Sequence, residues 1–177
     1  MLVAAPKIWT LDELHSLPDD GNTYELVHGE LFVTPAPAPI HEVVASRLTE
    51  LLTPYVAEHN LGKVLHPHSV VQHEGSQVEP DLTVRALPAG NTPWTEWPVP
   101  ILVIEILSPS TRRRDREHKR DFYLEVGVPE YWIVDPEQRT ITSIRPDRRD
   151  VIANQSLDWE PAGVATPLHV ELAHVFD

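Results

Sequence analysis

Asp81, Glu105 and Lys119 are the side chains whose types and spacing suggest chemistry. Glu105 stands out first. It interrupts Ile101-Leu102-Val103-Ile104-Glu105-Ile106-Leu107, a run otherwise composed of β-branched residues and leucine, which is how a strand buried on both faces of a sheet reads. An ionised carboxylate there costs several kcal/mol unless a metal ion, a cation or a raised pKa compensates it. Asp81 follows Pro80 on a preceding strand, and Lys119 comes after the Glu105 strand, on a helix. Two acids on adjacent strands are a minimal oxygen-donor site for magnesium or manganese. A nearby ammonium can orient or deprotonate a water, or offset charge developing on a phosphate.

Other polar residues have plainer readings beside functional ones. Glu30 opens a strand and reads first as a solvated strand end, and His41, in the first turn of a helix, as a solvent-facing or capping residue. Asp115, Lys119 and Tyr123 lie four apart and share a helix face, where a solvated ion pair beside a tyrosine is the plain interpretation. His66 and His68 alternate onto one strand face, but Pro67 separates them and no third ligand has matching spacing, so these and His73 are expected at the surface. Trp94 and Trp97 are expected to cover the edge of the core rather than to stack on bases.

These residues require a particular set of elements. Leu11–Leu17 is a short helix ending at Pro18, and 23–27 and 30–34 flank His28-Gly29 as a hairpin with a two-residue turn. After Pro35-Ala36-Pro37-Ala38-Pro39, an extended connector, a helix runs from about His41 to about 59. Val44, Leu48, Leu51, Leu52 and Tyr55 form its apolar face, and Pro54 should kink or end it. Extended chain over 63–72 leads through a turn at Glu74-Gly75-Ser76-Gln77 to a strand over Val78–Val84. The irregular segment 86–100 then crosses to the Glu105 strand. A helix from Arg112 or Arg113 to Val126, closed by Gly127, precedes a buried strand at Tyr131–Asp135. Residues 140–144 and 150–153 form a meander, and the tail to Asp177 is poorly specified. The strands at 78–84, 101–107 and 131–135 should be neighbours, packed by the two longer helices.

At 177 residues, without an internal repeat, the chain suits one domain spanning 1–177. Apolar and charged fractions of 41% and 23% are ordinary for a globular protein and argue against disorder. The absence of cysteine excludes disulfides and thiolate zinc and suits a cytoplasmic setting. No secretory signal and no run long enough to span a membrane is visible. A net charge of −13 argues against non-specific coating of nucleic acid, yet Arg112, Arg113, Arg114, Arg116, Lys119 and Arg120 predict a local basic patch.

Pro80-Asp81, Glu105 within Ile104-Glu105-Ile106-Leu107-Ser108-Pro109-Ser110-Thr111, then Asp115, Lys119, Tyr123 and Gly127-Val128-Pro129-Glu130-Tyr131-Trp132 resemble the Uma-type restriction endonuclease family, long carried as a domain of unknown function. The resemblance runs from Tyr24-Glu25-Leu26-Val27-His28-Gly29-Glu30 to the tail and is most specific over 104–135. It implies the PD-(D/E)XK nuclease fold, an α/β architecture with a central mixed β-sheet flanked by helices, here with an N-terminal β-hairpin. The chain departs from the general nuclease pattern at Leu107, where a lysine two residues after the second acid is usual, and Lys119 is its expected replacement. The resemblance thus implies a magnesium- or manganese-dependent endonuclease acting on DNA. Asp81, Glu105 and the Ile106 carbonyl would be metal ligands, Lys119 the catalytic lysine, and Glu30, His41, Asp115 and Tyr123 secondary candidates. A homo-oligomer, a dimer, is expected. The alternative is a decayed, non-catalytic metal- or nucleic-acid-binding module on the same fold.

Overall fold

The structure is a computed structural model that describes residues 7–67, 69–108 and 117–177. Asp115, the four arginines at 112–116 and His68 lie outside the described residues.

The N-terminal hairpin forms as its sequence dictates. Strand β1 (Thr23–Val27) pairs antiparallel with β2 (Glu30–Thr34), Val27 opposite Glu30. The two turn residues, His28 and Gly29, take φ of 49° and 81°, the positive values a two-residue hairpin turn demands. On its other side β1 meets β5 (Ser76–Val78) through Leu26 and Gln77, and β5 pairs with β4 (Val71–His73). The resulting sheet has the order β2-β1-β5-β4. The β4–β5 turn is shorter than expected. His73 already pairs with Ser76, leaving Glu74-Gly75 as the turn.

The second sheet has six strands in the order β10-β9-β8-β7-β6-β3. They are β3 (Lys63–Leu65), β6 (Leu82–Arg85), β7 (Leu102–Ile106), β8 (Tyr131–Asp135), β9 (Thr140–Ile144) and β10 (Val151–Ala153). The β7–β8 pair is parallel and the other pairs are antiparallel, so the sheet is mixed. The expected neighbours β6, β7 and β8 are adjacent, but 78–84 is not one strand. Val78 ends β5 in the first sheet and Leu82 begins β6 in the second. Pro80 cannot donate to a ladder, and the Glu79 N–H turns instead to the carboxylate of Glu25, so the chain bends and changes sheet.

The short N-terminal helix forms as α1 (Leu11–His15), and helix α2 (Pro39–Glu58) begins with proline at its first turn, where no N–H partner is needed. It continues unbroken through Pro54, contrary to expectation. Pro54 is exposed, whereas Leu52, Tyr55 and Val56 around it are buried against the sheet, and that anchoring outweighs the missing backbone bond. Helix α3 (His118–Val126) ends at Gly127 with φ 84°, as expected, and the start expected at Arg112 or Arg113 lies outside the described residues.

The two helices account for two apolar clusters. Val44, Leu48 and Leu52 of α2 join Leu82, Leu102, Ile104, Ile106 and Trp132, while Phe122 and Tyr123 of α3 join Val27, Val103, Leu107 and Tyr131. Successive β7 residues therefore serve opposite faces, and alternation sends Glu105 to the α3 side. The tail is better ordered than its sequence suggests. Strands β11 (Ser156–Trp159) and β12 (Leu168–Glu171) pair, and helix α4 (Leu172–Phe176) follows, burying Trp159, Leu172 and Val175 in the α2 cluster. The 86–100 segment is irregular apart from a 3-10 turn at Trp94–Glu96. There Trp94 and Trp97 pack at 4.3 Å beside the buried guanidinium of Arg85. No helix among the described residues is long and apolar enough to cross a membrane.

Candidate active site

Glu105 is the penultimate residue of β7, 3% exposed, and needs polar partners at that depth. Helix α3 brings two. Lys119 Nζ lies 2.7 Å from Glu105 Oε1, and Tyr123 O–H, one turn further, donates to the same oxygen at 2.6 Å. The spacing of four that suggested a shared face is what lets both reach one carboxylate. Their environment is not the solvated one expected: Lys119 is 1% exposed and Tyr123 fully buried. Burial and the neighbouring carboxylate charge of Glu105 push the Tyr123 phenol well above its usual range, so it remains a donor at any ordinary pH.

Lys119 has a second carboxylate partner that the sequence reading did not single out. Glu25 of β1 places Oε1 2.8 Å from Lys119 Nζ. At 1% exposure it is as buried as the lysine. A signal was present, because Glu25 sits beside Leu26-Val27 in a short strand, the same anomaly that marks Glu105. The polar Thr23 and the exposed hairpin turn next to it masked that signal.

Asp81 stands at the bend before β6. Leu82 is registered with Ile104, and one step further sets Asp81 opposite Glu105. Its Oδ2 accepts the Ile106 backbone N–H at 2.7 Å and lies 3.1 Å from His41 Nε2. It is therefore the Ile106 amide, from the residue expected to offer a carbonyl, that engages Asp81. His41 is buried rather than solvent-facing, so the plainer reading of that residue is corrected. Burial opposes its charged form, but the hydrogen bond to Asp81 and that carboxylate's charge prevail and raise its pKa. Its Nδ1 is 3.4 Å from Glu42 and makes no hydrogen bond.

Glu30 remains apart, as the solvated-end reading has it. Its carboxylate is mostly exposed, 3.8 Å from His118 Nδ1, and among the described residues no contact joins it to Glu105 or Asp81. Arg120, part of the expected basic patch, forms a fork with Asp150.

Among the described residues, no three His, Cys, Asp or Glu side chains gather as a ready cage for a metal. Asp81 and Glu105 are the carboxylate donors a hard cation takes, with Asp81 Oδ2 already engaged by the Ile106 N–H and His41 and Glu105 Oε1 by Lys119 and Tyr123. The arrangement gathers the Glu25 and Glu105 carboxylates around one ammonium and keeps all three groups buried.

The architecture is that of a nuclease-type α/β fold. It superposes on a crystal structure described as "a putative nuclease belonging to DUF820 from Anabaena variabilis ATCC 29413" with a TM-score of 0.73 and 21% identity, covering 95% of this chain and 97% of that one. The Uma2 family, described as "Putative restriction endonuclease", matches residues 11–172, and the chain belongs to it. No curated protein matches the chain.

Proposed function

We propose that the chain is a divalent-metal-dependent phosphodiesterase that cuts DNA. The observation that carries this reading is the buried 2.7 Å contact between Lys119 Nζ and Glu105 Oε1, one strand away from Asp81. It is supported by membership of a family described as "Putative restriction endonuclease" and by the fold shared with a protein titled "a putative nuclease". Asp81, Glu105 and the Ile106 carbonyl would hold magnesium or manganese. The ion, when bound, would neutralise charge on the scissile phosphate and lower the pKa of a water.

The chain's own residues would do the rest. Lys119 would direct a proton of its ammonium at the attacking water or at a phosphate oxygen, substituting for the lysine absent at Leu107. Tyr123, a fixed donor, would keep Glu105 oriented, and His41 would do the same for Asp81.

Supercoiled plasmid, linear duplex and single-stranded DNA incubated with magnesium, with manganese and with EDTA test the reading. Cleavage should require metal and fall about a hundredfold or more in Asp81→Asn, the scale of losing one positioned catalytic group. Wild-type protein that binds metal but cuts none of these would retire it. One observation favours the second reading, a binding module without turnover: Leu107, where the general pattern has lysine, is packed into the apolar core at 5% exposure. That outcome would select it.

A further inference from the structure

Two segments far from β1 in sequence converge on one oxygen of Glu25. Its Oε1 lies 2.8 Å from Lys119 Nζ of α3 and accepts the Glu79 backbone N–H at 2.9 Å. Pro80, which follows, has no N–H to offer. The bend from β5 to β6 is thus tied at both ends, Glu79 to β1 through Glu25 and Asp81 to β7 through the Ile106 amide. β1 itself is held between β2 and β5. A carboxylate on so rigid a strand fixes whatever it binds, and here it binds both the lysine and the base of the loop carrying Asp81.

We propose that Glu25 is a positioning residue of the site: it holds the Lys119 ammonium beside Glu105 and sets the bend from which Asp81 projects. The N-terminal hairpin is then part of the working machinery rather than a cover over it. The catalytic consequence rests on the function proposed above, whereas the placement of Lys119 does not. A charge-free substitute of the same shape distinguishes this role from space filling. In Glu25→Gln the amide oxygen can still accept from Glu79, but the ionic hold on Lys119 is lost.

The placement is measurable without activity. Of the three lysines, Lys7 and Lys63 are exposed and Lys119 alone is buried, so in protein labelled with nitrogen-15 lysine its ammonium should give a slowly exchanging signal. Glu25→Gln should abolish or broaden that signal. In cleavage assays it should lower kcat about tenfold to a hundredfold while leaving the KM for DNA within about twofold, the scale of losing a group that orients a site. Glu25→Asp, which keeps the charge on a shorter arm, should fall between the two and carries the same test if Glu25→Gln does not fold. An unchanged Lys119 signal in the folded variants would overturn the proposal, whatever their melting temperatures. A changed signal in a protein that cleaves no DNA would uphold the positioning and sink the nuclease reading instead.

Discussion

Lys119 and Glu105 form an ion pair with Nζ and Oε1 2.7 Å apart, at exposures of 1% and 3%. Both are effectively out of water, and this changes what a mutation at Lys119 should do. Removing one partner of a buried pair takes away the charge that offsets the other and costs about 3–5 kcal/mol. Lys119→Ala should therefore lose stability by about that amount in urea unfolding, before any effect on cleavage is read. Adding Glu25→Gln should recover part of the loss, because it removes one of the two carboxylates left behind. An unfolding midpoint equal to wild type in Lys119→Ala would mean that the pair is not buried as described.

Divalent metal should stabilise the fold through Asp81. A ligand at a hundred times its Kd adds about 2.7 kcal/mol, which raises the melting temperature by roughly 5–10 °C in a domain of this size. Magnesium or manganese should produce such a rise in the wild type and almost none in Asp81→Asn. A rise of equal size in both would place the ion elsewhere.

His41 should make stability depend on pH in the absence of metal. Its folded pKa is raised above the ordinary 6.5, so its contribution is fully present below pH 6.5 and is lost as pH climbs through the folded value. The wild type should lose stability more steeply across that window than His41→Gln. Equal slopes in paired urea titrations at pH 6 and 8 would show that Asp81 gains nothing from the imidazolium.

Pro54 sits inside a continuous helix, four residues before its last residue Glu58, and is exposed. Pro54→Ala restores a backbone hydrogen bond and relieves the clash with the preceding turn, at the expense of a freer unfolded chain. A net gain of about 2 kcal/mol should follow. A lower melting temperature for Pro54→Ala would imply that the helix needs the proline's bend.

Much of the site could be read from residue types because burial and charge conflict visibly in β7. Glu105 announces itself, and the spacing of Lys119 and Tyr123 tells which face would answer it. The hairpin at His28-Gly29 was equally plain, since only a positive-φ turn connects those strands. What stayed hidden depends on contacts between distant segments. Glu25 belongs to the site because α3 lands on it, and its place beside Leu26-Val27 hints at burial without saying what would meet it. The break at Glu79-Pro80-Asp81 reads as continuous strand until a second sheet claims Val78, and Pro54 reads as a helix end until the sheet beneath holds the helix together. The tail carries little periodicity, yet Trp159 and Val175 find a place in a core built by others.

The parallel pairing of β7 with β8 obliges the chain to leave one end of the sheet and return to the other before Tyr131 can align with Val103. Helix α3 rides on that return path, so Lys119 reaches Glu105 by the route of the chain and not by closeness in sequence. In the usual pattern the acid and the lysine share one strand, and the pleat dictates their separation. Here the distance along the chain and the distance in space are uncoupled, which leaves the number of intervening residues free to vary while the ammonium stays over the same carboxylate. A search that demands a fixed interval between acid and lysine would pass over such a site, whereas one that asks what crosses above the charged strand would find it.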